Sequence, residues 1–225
     1  MFEGFSDSTV DFMWGIRFNN EKAWFEAHRE EFKTHLQTPM RALADEVCGT
    51  LEERYPQQGL VHKVSRIYRD ARRLHGQGPY RDHLWFSMEQ PSEQWTARPT
   101  FWFELTPEHA SWGMGYYLAR PVTMAKLRAR MDADPRPMEA LTQKLNSRPD
   151  FVLDGEEYKR PKAEPASGLL LPWYRKKSFS LYHEQPLSAA LYSHALADRL
   201  IDDFTFLMPF YTYFATLEGD PDPRI

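Results

Sequence analysis

The chain has 225 residues, 42 % of them hydrophobic and 15 % aromatic, with a formal net charge of −4. That length suits one large core, and its many Trp and Phe rings are big enough to fill one, which excludes a mostly disordered chain. A single cysteine, Cys48, excludes an intrachain disulfide and a zinc site built from thiolates. No stretch approaches the roughly 18 apolar residues that cross a bilayer, and Glu3, Asp7 and Asp11 precede any sustained apolar run, so the expected setting is the cytoplasm with no membrane partner.

Charge is unevenly spread. Residues 1–59 carry 6 basic and 11 acidic side chains and residues 184–225 carry 2 and 7, net −5 in each case, whereas residues 60–183 carry 20 and 14, net +6. Acidic flanks weaken long-range attraction for a polyanion, which disfavours nucleic-acid binding by the whole chain but leaves room for a local anion site.

In chain order, Ser8 and Asp11 resemble a capping box, and Val10, Met13, Trp14 and Arg17 repeat at helical spacing. Asn19 and Asn20 break that helix, with Asn20 offered as the next N-cap, and Phe25, His28, Phe32 and Leu36 form one stripe of a second helix. Pro39 opens a third, carried by Met40, Leu43, Val47, Leu51 and Tyr55 until Pro56 stops it. The period then falls to two: Val61 to Arg69, His83 to Met88, Thr100 to Leu105 and Ser111 to Leu118 read as strands, and the last three are joined by links too short for helical crossovers. Pro121, and then Pro135 with Pro137, start two further helices. The Pro-, Lys- and Glu-rich stretch 156–166 reads as an ordered surface loop or lid, Phe179 and Leu181 as a short strand, and Pro186 as the start of a long closing helix that Pro209 kinks or ends. The expectation is therefore one α+β domain over 1–225: helical at 1–57, an antiparallel meander at 60–118, helices at 121–148, loop and short strands at 150–184, and a closing helix at 186–217. The meander is expected to pack against the N-terminal three-helix layer and the long C-terminal helix.

Phosphate loops, dinucleotide fingerprints, zinc-protease and nucleophile-elbow motifs are absent. What stands out is the run from Arg66 to His83, where Arg66, Arg69, Arg72, Arg73 and Arg81 crowd beside Gly76, Gly78 and Pro79. Planar guanidinium groups on a tight turn suit a phosphate or carboxylate, because each fork bonds two oxygens at once. The structural alternative is that Asp70 and Asp82 pair with neighbouring arginines and simply hold the turn. Gly113 and Gly115 bare one strand face, either to let a helix pack close or to make room for a ligand. His28, on the apolar stripe, is either a hydrogen-bonded core histidine or a general base at a pocket wall. Lys159, Arg160 and Lys162, and Arg175, Lys176 and Lys177, either fold over the arginine turn or are ordinary solvated surface. No metal and no cofactor is assigned.

Several of these residues resemble the family catalogued as domain of unknown function 2461. The likeness rests on Phe2, Gly4 and Phe5, on Asn19-Asn20, Trp24-Phe25 and His28-Arg29, on Arg69, Asp70, Arg72, Pro79, Tyr80 and Arg81, on Gly113, Gly115 and Arg128, and on Lys159-Arg160-Pro161-Lys162. It spans nearly the whole chain. Arg73 and Gly76-Gln77-Gly78 depart from the family's pattern, which has Phe after the third Arg and an Asp-Lys pair before Pro-Tyr, so the role of that pair is not carried over. The family brings no established activity, substrate or cofactor.

The leading functional expectation is a pocket protein, with or without catalysis, that takes a small anionic ligand. Arg69, Arg72 and Arg81 would hold the anion, Tyr80 and Trp24 would line the pocket, and Asp70 would orient the arginines or act as a base. Asn20, His28 and Lys177 complete the candidate set. The alternatives are a noncatalytic protein-interaction module, in which the arginine turn is a structural staple, and nucleic-acid binding through the basic middle. Neither a reaction nor an oligomeric state follows from the sequence.

Overall fold

A computed structural model describes residues 1–70, 72, 76, 78–92, 95–159, 165 and 167–225. Arg73, His75, Gln77, Arg160 and Lys162, and most of the 156–166 lid expected from the sequence, lie outside the described residues.

The N-terminal helices are α1 (Asp7–Phe18), α2 (Lys22–Ala27), the single turn α3 (Arg29–Glu31) and α4 (Thr38–Arg54). A π-helical turn, Phe32–Gln37, runs without a break from α3 into α4, so Pro39 sits in the first turn of a continuing helix instead of opening a new one. The cap of α1 falls at Ser6 rather than Ser8, with Thr9 Oγ1 accepting the Ser6 backbone N–H at 3.0 Å. Glu21, not Asn20, is the N-cap of α2, because the Asn20 side chain is used elsewhere.

The strands are β1 (Val61–Val64), β2 (Leu84–Glu89), β3 (Thr100–Leu105), β4 (His109–Gly115), β5 (Val152–Asp154) and β6 (Ser180–Pro186). They form one six-stranded antiparallel sheet in the order β1-β2-β3-β4-β6-β5, so the fold is α+β with a meander at its start. Between and after these strands come α5 (Pro121–Ala133), α6 (Arg136–Asn146), α7 (Leu171–Arg175) and α8 (Ala195–Ala215). The closing helix thus begins nine residues beyond the proline expected to start it: Pro186 ends β6, and a 3-10 turn at Ala189–Tyr192 intervenes. Pro209 does not end α8.

Contacts divide the chain into two compact units: Met1–Met88, Trp102–Trp112 and Glu184–Asp203 in the first, and Glu89–Phe101, Gly113–His183 and Phe204–Ile225 in the second. In the first, period-two patterning places Leu84, Phe86 and Met88 of β2 and Phe103 and Leu105 of β3 in the core, and the Phe86 and Phe103 rings lie 5.5 Å apart. α4 buries Met40, Leu43, Val47 and Leu51 and packs on β1. Asp203 of α8 is 1 % exposed, where it accepts from Trp112 Nε1 at 2.8 Å and from Arg199 Nε at 2.7 Å. In the second unit Phe101 stacks on Tyr211, and Trp173, Phe179 and Phe214 form a mutual cluster. The bareness of Gly113 and Gly115 serves a neighbouring strand: a Cβ at either would lie 2.0 Å from the Leu181 carbonyl oxygen or 2.4 Å from that of Phe179.

Candidate ligand-binding site

The arginine turn is organised by a short ladder in the first unit. Arg69 N–H donates to the Pro79 carbonyl at 2.8 Å and Arg81 N–H to the Ile67 carbonyl at 2.7 Å, flanking the antiparallel bridge between Tyr68 and Tyr80. This is a non-hydrogen-bonded antiparallel pair, so Arg69 and Arg81 occupy diagonal positions on one face of the ladder and the two tyrosines share the other. Tyr80 is buried, stacked on Phe25 of α2 with ring centroids 4.3 Å apart, and burial, the largest cause, raises its hydroxyl pKa.

Asn20 closes the ladder from outside. Its Oδ1 accepts the Tyr80 N–H and its Nδ2 donates to the Tyr80 carbonyl, both at 2.9 Å, as a further strand would. The carboxamide fits because residue 78 is glycine: a Cβ there would lie 2.2 Å from Asn20 Oδ1. Gly76, at φ +83, takes a left-handed conformation in the turn itself. Two of the four residues that depart from the family pattern, Gly76 and Gly78, therefore have backbone roles.

The guanidinium groups have different fates. Arg69 Nε donates to the Tyr80 carbonyl at 2.9 Å, and its Nη2 stands 3.9 Å from Asp82 Oδ1. Arg81 Nη1 donates to the carbonyls of Arg66 and Tyr68, and the group lies over the Trp85 ring, 4.9 Å from its centroid. Burial, and then the adjacent Arg69 charge, push the Arg81 pKa below the ordinary arginine value. Among the described residues no carboxylate pairs with Arg81. Arg72, with its side chain 87 % exposed, is chelated by Asp70, which also accepts the Arg72 backbone N–H.

Asp82 anchors the back of the turn. It accepts from His83 Nδ1 at 2.9 Å and from Arg17 Nε of α1, while Arg17 also reaches Glu108. Hydrogen bonding to His83 first, and then to Arg17, holds the Asp82 carboxyl well below the usual carboxylate range against a desolvation cost. The sequence offered Asp82 as a partner for arginines of its own turn, and Arg69 does pair with it at 3.9 Å, but the arginine that hydrogen-bonds it comes from 65 positions earlier.

Trp24 and His28 stand on another wall. Their rings stack at 3.9 Å, His28 Nδ1 donates to the Trp24 carbonyl at 2.8 Å, and both line a cleft of about 300 Å³ with Asp11, Glu31 and His35. Lys177 belongs to the second unit, where it pairs with Glu156. The structure thus gathers Asn20, Arg69, Tyr80 and Arg81 at the ladder, couples Asp70 with Arg72, and sets Trp24 with His28 in the cleft. His83, which ends the run the sequence singled out, joins the ladder's surroundings, as do Arg17 and Trp85, which carried no site signal and which only the pairing of separate segments reveals. No group of three or more His, Cys, Asp or Glu suited to a metal ion occurs among the described residues, and no described helix is long and apolar enough to cross a membrane.

Fold and site define an α+β protein with an arginine-rich turn clamped at a tyrosine bridge. Residues 8–213 match the family described as Conserved hypothetical protein (DUF2461), and the chain belongs to that family. The match covers every candidate residue from Asn20 to Lys177. No curated protein matches the chain.

Proposed function

We propose that the protein binds a small organic anion, bearing phosphate or carboxylate, at the guanidinium groups of Arg69 and Arg81. One observation carries this reading: Arg81 is held by two backbone carbonyls and an indole face, beside a second arginine, with no carboxylate on it among the described residues. Carbonyls orient a guanidinium without neutralising it, so the two like charges gain from an anion that answers both. Asn20 and Tyr80 position the pair, Asp82 keeps Arg69 from turning away, and Asp70 with Arg72 shapes the turn.

A thermal-shift panel of phosphorylated and carboxylated metabolites tests this, run on the protein and on a variant with Arg69→Gln and Arg81→Gln. Stabilisation of the parent by members of one class, absent in the variant, supports the site. Equal stabilisation of both proteins, or none of the parent, counts against it.

A further inference from the structure

We infer that the cleft between α1 and the α2-to-π-turn segment binds a small organic cation, an ammonium or guanidinium ion on an apolar stem. The volume of about 300 Å³ lies at the small end of ligand pockets. Its polar groups are acceptors. Glu26 and Glu30 are engaged by the bases three residues on, Arg29 at 2.5 Å and Lys33 at 2.7 Å. Glu31, next in the chain, meets Thr34 and His35 at those spacings, and Asp11 on α1 is followed there by Trp14 and Gly15. Among the described residues neither carboxylate has a hydrogen-bond or ion-pair partner.

His28 adds a third acceptor. A carbonyl only accepts, so the bond to Trp24 O places the proton of the neutral ring on Nδ1 and leaves a lone pair on Nε2. The cleft therefore offers two negative charges and no basic side chain beyond its histidines, within a segment that is itself net −5.

The aromatic wall is fixed beforehand. Trp24 is stacked against His28, stands 5.7 Å from Phe12, and tucks against α1 where Gly15 has no side chain: a Cβ there would lie 2.7 Å from the indole. A preset aromatic wall beside carboxylates suits an organic cation, the carboxylates answering its charge and the wall its apolar stem.

The two walls are also tied to each other. The π-helical turn starts immediately after Glu31 and contains His35, whose carbonyl accepts from Thr9 Oγ1 of α1 at 2.6 Å. Such π turns cost helical regularity and recur at functional sites. The cleft shares no residue with the Arg69 and Arg81 pair and stands whether or not that pair binds an anion.

Calorimetric titration of the intact chain with phenethylammonium, and with 2-phenylethanol as the uncharged counterpart, tests the inference. Saturable binding of the amine but not the alcohol is expected, weakened roughly tenfold or more when Asp11→Asn and Glu31→Gln are combined. Both side chains are exposed, so that variant keeps its fold, which circular dichroism verifies. No saturable amine binding, equal binding of the alcohol, or unchanged affinity in the variant overturns it.

Discussion

Replacing Asn20 by Ala removes both hydrogen bonds between its carboxamide and the Tyr80 backbone, each 2.9 Å long. The two losses are unequal. The Tyr80 carbonyl keeps a second donor, Arg69 Nε, so losing Nδ2 costs about 0.5–1.5 kcal/mol, the net value of an ordinary hydrogen bond. The Tyr80 N–H is left with no partner in a part-buried place, a penalty of about 1–3 kcal/mol. The substitution should therefore destabilise the chain by about 2–4 kcal/mol, which at an ordinary urea dependence lowers the unfolding midpoint by about 1–2 M. Asn20→Asp keeps the acceptor and loses the donor, so it should fall between parent and Ala variant. Urea unfolding followed by circular dichroism measures all three. A midpoint unchanged in Asn20→Ala refutes the clamp and frees Asn20 for another role.

Four further outcomes are expected. Gly113→Ala drives a Cβ to 2.0 Å from a backbone oxygen of the neighbouring strand, so thermal unfolding should show a loss of about 3 kcal/mol or more, or no folded product. Asp203→Ala strips the buried Trp112 indole N–H of its acceptor and should cost about 2–4 kcal/mol in the same assay, with Asp203→Asn recovering part of it. Burial pushes the Cys48 thiol up to about 12, so a thiol reagent at pH 8 should label the native chain only at the rate of unfolding. Because Asp82 titrates below its unfolded value of about 4, its stabilisation is whole above that value and is lost as pH falls toward the lowered folded one. Asp82→Asn should therefore flatten the acid limb of stability against pH; an unaltered limb removes Asp82 from its cause.

Much of the architecture was legible in the sequence because it rests on local periodicity. Leu84, Phe86 and Met88 alternate into the core as their spacing implies, and the helices at Pro121 and near Pro135 start where fixed proline torsions favour a first turn. Boundaries failed where a distant partner decided them. Asn20 reads as a cap because asparagine caps helices, yet its carboxamide gains two bonds by reaching Tyr80 instead. A carboxylate is ordinarily exposed, and Asp203 is buried because Trp112, 91 positions away, supplies a donor that makes its burial tolerable. In the same way the arginine cluster was visible as composition, but which guanidinium is spent on a carboxylate and which on carbonyls depends on the Tyr68 to Tyr80 bridge. Trp24 and His28 of the cleft were legible as pocket candidates, but its carboxylates left no signal, since Asp11 and Glu31 lie on separate helical segments tied by Thr9 and the His35 carbonyl.

The most direct test of anion binding follows the arginine side-chain Nε–Hε resonances by nuclear magnetic resonance while inorganic pyrophosphate is added. Saturable shifts at Arg69 and Arg81, with Arg72 unmoved because Asp70 already holds it, are the predicted result. Shifts spread evenly over all arginines, or none at Arg81, would contradict the account.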